Sequence, residues 1–191
     1  QFAVMTFMFR PWWADGRMSH EDMIAGLADA GADAIEPFHR DFVNDPELLK
    51  RYKTVLADNG IRVAVIDVMC NLVYGDNSQK QQDRDELRQG LDVCVELGAD
   101  IAHVAGHRLR DGVTPDDGRR MIADGLLEVA EFAGQHGLTL AIENFNPSPD
   151  LVCSAADCLE ILDLTGDAVR LVFDTGNFIA VGEQADNNLD R

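Results

Sequence analysis

Five glycines set the rhythm of this chain. Gly31, Gly60, Gly98, Gly137 and Gly166 each close a stretch of helical periodicity and open onto a short apolar run, and Gly31-Ala32-Asp33 recurs as Gly98-Ala99-Asp100. Glycine ends helices readily because it adopts the left-handed conformation without a Cβ penalty. Helix starts fall in phase with these stops. Ser19-x-x-Asp22 and Ser154-x-x-Asp157 read as capping boxes with Asp in place of Glu, Asp45-Pro46 opens a helix, and Thr114-Pro115-Asp116-Asp117 sets an N-cap, a proline and two acids in order. A charged helix is expected over 79–97, after a polar loop at 71–78. The apolar runs between helices predict six strands, at 2–9, 33–36, 61–68, 100–105, 138–144 and 169–174, with Trp12 and Trp13 in the loop after the first.

Repeated βα units of roughly 30 to 40 residues leave two architectures, a (β/α)8 TIM barrel or an open doubly wound sheet. Acids at strand ends favour the barrel, and no GxGxxG or P-loop sequence supports a nucleotide site. The expectation is therefore an α/β TIM barrel with only about six βα units present. Residues 1–191 would form a single barrel domain cut before its last two units, or a partner would cover the gap. The start at Gln1 without a methionine fits a partial chain.

With 46% hydrophobic residues the chain can bury a sizeable core without disulfides. Cys70, Cys94, Cys153 and Cys158 form no CxxC pair and are expected to be reduced and buried. The formal charge of −18 argues against nucleic acid and anionic membranes as partners. No apolar run reaches the roughly 20 residues of a membrane span, so a cytoplasmic protein is expected.

The chemistry is expected where apolar strands end on acids. Strand alternation in 138–144 puts Leu140 and Ile142 on one face and Thr139, Ala141 and Glu143 on the other. In 169–174 it sets Leu171 and Phe173 against Val172 and Asp174. Two inward carboxylates on successive strand ends suggest a divalent metal site.

These residues resemble the xylose-isomerase-like barrels of the sugar phosphate isomerase/epimerase superfamily, which includes ketose 3-epimerases, inosose isomerases and dehydratases, and hydroxypyruvate isomerases. The resemblance rests on residues 31–36, on Ala141-Ile142-Glu143-Asn144 and on residues 172–177. It implies a divalent ion, Mn2+ first with Mg2+ or Co2+ as alternatives, held by Glu143 and Asp174. The family's further His and Glu ligands would lie beyond Arg191. Many relatives carry His where this chain has Asn177, which speaks against an endonuclease-IV-like zinc cluster.

The expected activity is that of an isomerase or epimerase of a small sugar, keto-sugar or cyclitol, by proton transfer next to a carbonyl through an enediolate. Glu143 would be ligand and acid or base. A lyase of the same fold, such as an inosose dehydratase or C-glycoside deglycosidase subunit, begins with the same proton abstraction. A non-catalytic carbohydrate-binding subunit is the alternative from another class, and a homo-oligomer would cover open sheet edges. Trp12, Glu36, His107 and Asn177 are the candidate substrate contacts. Each has a plainer reading: packing for Trp12 or Trp13, an ion pair for Glu36, a solvated loop position for His107, a helix cap for Asn177. His103 is expected to be a hydrogen-bonded core histidine before a ligand contact, and Asp67 a further polar contact.

Overall fold

The computed structural model describes residues 2–43 and 45–189. Contacts divide the chain into two units, 1–68 with 89–102 and 69–88 with 103–191.

In the first unit the expected first strand is cut short. β1 covers only Ala3–Met5, a 3-10 turn takes Thr6–Phe9, and α1 (Arg10–Ala14) follows with Pro11 in its first turn. A proline there supplies a fixed helical φ where its missing N–H costs nothing. Trp12 and Trp13 therefore sit on a short helix, not in a loop. α2 (His20–Asp29) starts with the predicted capping box: the Ser19 hydroxyl accepts from the Asp22 N–H at 3.0 Å, and the Asp22 carboxylate accepts from the Ser19 N–H at 3.2 Å. β2 (Ala34–Glu36) pairs in parallel with β1, and α3 (Arg40–Val43) is a turn of helix the sequence pattern did not suggest. α4 (Pro46–Asn59) is capped by Asp45 and stopped by Gly60 at φ 66°.

The third expected strand divides into β3 (Arg62–Val63) and β4 (Val65–Met69). The cause is a change of partner at Ala64: its N–H donates to Ile35 O, while its C=O accepts from the N–H groups of Asp100 and Ile101. One extended segment thus serves two sheets, ordered β1-β2-β3 and β4-β5-β6-β7. α5 (Asn77–Leu97) and β5 (Ile101–Ala105) complete the segments through which the division between units runs. Ile24, Ile35, Tyr52, Val63, Ile66 and Val68 are the buried centre of the first unit.

In the second unit α6 (Pro115–Gln135) is capped by Thr114, and β6 (Thr139–Glu143) carries Glu143 at its end. α7 (Ala155–Thr165) has the second capping box, on Ser154 and Asp157. β7 (Val169–Val172) pairs in parallel with β6, Glu143 opposite Val172. The strand stops two residues sooner than expected, so Asp174 lies in the turn beyond it. Leu72, Val104, Ile122, Leu126, Leu140, Ile142 and Ile161 fill this core. All four cysteines are free and buried, as their spacing implied. Among the described residues no helix is long and apolar enough to cross a membrane.

Candidate active site

The second unit joins two strand ends through one side chain. Asn144, fully buried, directly follows Glu143; its Nδ2–H donates to Asp174 O and its Oδ1 accepts from the Asp174 N–H, both at 2.8 Å. This reciprocal pair reproduces across the strand ends the bonds that a sheet would make, and it ties the Asp174 backbone to the residue that follows Glu143. The Asp174 carboxylate is itself oriented. Its Oδ1 accepts from the N–H groups of Gly176 (2.7 Å) and Asn177 (3.0 Å), a local turn that leaves Oδ2 outside these bonds. Glu143 keeps only 12% of its side chain exposed, and His103 Nε2 stands 3.6 Å from its Oε2. That separation exceeds a hydrogen bond but allows a charged pair when the imidazole is protonated.

Further acids surround the position. Burial first, and then the charges of Asp157, Glu183, Asp174 and Glu143, push the Cys153 thiol above its ordinary pKa. That thiol is a hydrogen-bond donor to Asn177 O at 3.3 Å, not a nucleophile. Asn177 opens a 3-10 turn at Asn177–Val181, but its side chain does not cap it. The helix-cap reading of Asn177 is not met, because Gly176 holds the cap position and Asn177 is the first residue of the turn.

His107 is not a solvated loop residue. It is 1% exposed, its Nδ1 accepts from the Leu72 N–H at 3.3 Å, and its C=O accepts from the Ser148 hydroxyl at 2.5 Å. Accepting at Nδ1 places the proton of the neutral ring on Nε2. Burial, and next the neighbouring His103, lower its pKa to about 3.

In the first unit Glu36 ends β2 and its C=O accepts from the Thr6 hydroxyl at 3.4 Å. Asp67, within β4, is buried; its C=O accepts from the His39 N–H (3.0 Å) and Nδ1 (3.1 Å). One carboxylate oxygen of each, Glu36 and Asp67, lies within 4.8 Å of the other. Trp12 is 41% exposed, whereas Trp13 stacks on His20 at 4.0 Å, and His20 Nδ1 meets the Tyr52 hydroxyl at 2.8 Å. Of the two tryptophans, Trp12 is the more exposed, with its ring centroid 5.6 Å from that of Phe9.

Strand-end carboxylates on parallel βα units are the arrangement of a known family. The model of the xylose isomerase-like TIM barrel matches residues 24–191. The chain belongs to this family. Among solved structures of the same fold, a protein from Sinorhizobium meliloti 1021 superposes with a TM-score of 0.78 at 21% identity, over 92% of this chain and 63% of its own. D-psicose 3-epimerase in the presence of D-fructose gives 0.78 at 18% identity, covering 98% and 69%. The IOLI protein with a bound zinc atom gives 0.76 at 18%, covering 96% and 66%. The chain thus spans about two thirds of the length of these family members. No curated protein sequence matches it.

Asn144 is what the reading of the sequence missed as a working residue. Its position after the strand-end acid was visible, but its role requires the β6–β7 register, which no local pattern encodes.

Proposed function

We propose that this chain carries the metal-dependent proton-transfer site of a sugar isomerase or epimerase. The observation that supports the reading is the Asn144 link, which ties the Asp174 backbone to the residue after Glu143 at the adjacent strand end. The donor set fits a hard divalent ion such as Mn2+ or Mg2+: carboxylate oxygens, with Asp174 Oδ2 left unbonded by the turn. When bound, such an ion would stabilise negative charge on the substrate oxygen.

Every other element of the reaction belongs to the chain. Glu143, with 12% of its side chain exposed, takes the proton from the carbon next to the carbonyl and returns it on the same face to the neighbouring position, while inversion takes a second proton donor on the opposite face. His103 lies beside it, its Nε2 3.6 Å from the Glu143 Oε2. The reacting ring is that of a small sugar, keto-sugar or cyclitol, in line with an epimerase solved with D-fructose among the structures of the same fold.

The test is conversion of D-fructose, of an inosose and of hydroxypyruvate in the presence of Mn2+, with Glu143→Gln as the control. An epimer or isomer formed by the native chain and lost by at least about 100-fold in the variant, the lower range for removal of a general base, supports the reading. Turnover unchanged in the variant, or release of water in place of an isomer, contradicts it.

A further inference from the structure

Two loops of the second unit enclose a pocket that this chemistry does not use. Arg108 and Leu109, after β5, form one wall; Pro147, Ser148, Pro149, Asp150 and Leu151, after β6, form the other, around about 220 Å3. Both walls are fixed. Asn71 brackets the Arg108 backbone, its Oδ1 accepting from the Arg108 N–H and its Nδ2–H donating to the Arg108 C=O, each at 3.1 Å. The Ser148 hydroxyl ties the second loop to the first through His107 O, and the Phe145 N–H donates to Val152 O at 2.7 Å to close its base. Pro147 and Pro149 restrict the backbone further. Beneath them Leu151 and Leu109 pack on Gly118, where a Cβ would come within 2.8 Å of Leu151.

The polar equipment is one donor and one acceptor. Among the described residues neither the Arg108 guanidinium nor the Asp150 carboxylate has a hydrogen bond or ion pair, although nearly every other cation of this acidic chain is matched with a carboxylate. A guanidinium only donates and a carboxylate only accepts, so a ligand serving both needs groups that do either. Hydroxyl groups do so. Leucine and proline faces suit the C–H surface of a ring, and the volume lies below the roughly 300 Å3 at which drug-sized sites begin, the scale of a single ring. Asp150 in the wall and the net charge of −18 act against a simple anion.

We propose that this pocket is a second sugar subsite, so that the substrate class of the Glu143 and Asp174 site is a glycoside or disaccharide. The proposal rests on the reading of that site as a sugar site, and on the loop: it leaves β6 directly after Glu143 and Asn144. The reacting ring would lie at the strand ends and the second ring between Arg108 and Asp150. Rigid walls lower the ordering cost of binding there.

The experiment is a titration of the nitrogen-labelled chain with methyl β-D-galactopyranoside, followed by amide resonances, with inorganic phosphate and glycine as comparison probes. Saturable shifts at Leu109, Ser148, Asp150 and Leu151 are expected with the galactoside. They should weaken at least fivefold in Arg108→Ala and in Asp150→Asn, two exposed positions whose spectra otherwise stay native, and persist in Glu143→Gln. Shifts produced only by phosphate or glycine, or no shifts with the galactoside, would overturn the subsite. Loss of turnover without loss of these shifts in Glu143→Gln separates this proposal from the one on which it rests.

Discussion

Asn144 has every side-chain polar atom engaged across a strand end, and the consequence can be measured. Asn144→Ala leaves the Asp174 N–H and C=O without partners in a half-buried turn. Such losses cost about 1–3 kcal/mol, so denaturant unfolding should show that drop together with weaker divalent-ion binding. An unchanged midpoint would mean that water replaces the link without penalty. His107 predicts a pH dependence of definite sign. Its folded pKa, about 3, lies below the ordinary 6.5. Between those values the unfolded chain holds the extra proton, so stability rises with pH, is fully present above about 6.5 and is lost as pH falls toward 3. His20, lowered mainly by burial, adds in the same direction. His107→Gln should flatten the slope of unfolding free energy against pH over that window; an identical slope would remove His107 as its source.

The helices were the most legible elements, because their caps are local chemistry. Ser19, Asp45, Thr114 and Ser154 each accept the N–H that their sequence position implies. The strands were legible as six extended segments but not in their pairing. Ala64 changes sheets between its own N–H and C=O, and the run at 2–9 gives way to helix at Thr6, where a buried hydroxyl and Pro11 outweigh apolar continuity. His107 and Asn144 were hidden for the same reason: their partners, Leu72 and Asp174, are distant in sequence. Helix packing also separates two glycines of α6 that look alike. At Gly125 a Cβ would run into the Arg84 guanidinium, which is 5% exposed and held to Glu128 at 2.7 Å, whereas at Gly134 it would meet nothing within 4 Å. Gly125→Ala should therefore destabilise by about 1–3 kcal/mol, and Gly134→Ala should stabilise by about 0.5–1 kcal/mol. Thermal unfolding of the pair tests this, and equal shifts would contradict the packing account.

For the molecule as a whole, family membership follows from the match over 24–191, while the acids at the strand ends give it chemical content. A chain with a net charge of −18 attracts divalent cations everywhere, so binding alone would prove little. A change from Glu to Gln removes only one of those charges, and general attraction hardly alters. Calorimetric titration of Mn2+ into the native chain and into Glu143→Gln is therefore the most direct measurement. A saturable one-to-one site in the native chain that weakens at least tenfold in the variant is the predicted result. Equal binding in both would place the ion elsewhere and contradict Glu143 and Asp174 as its ligands.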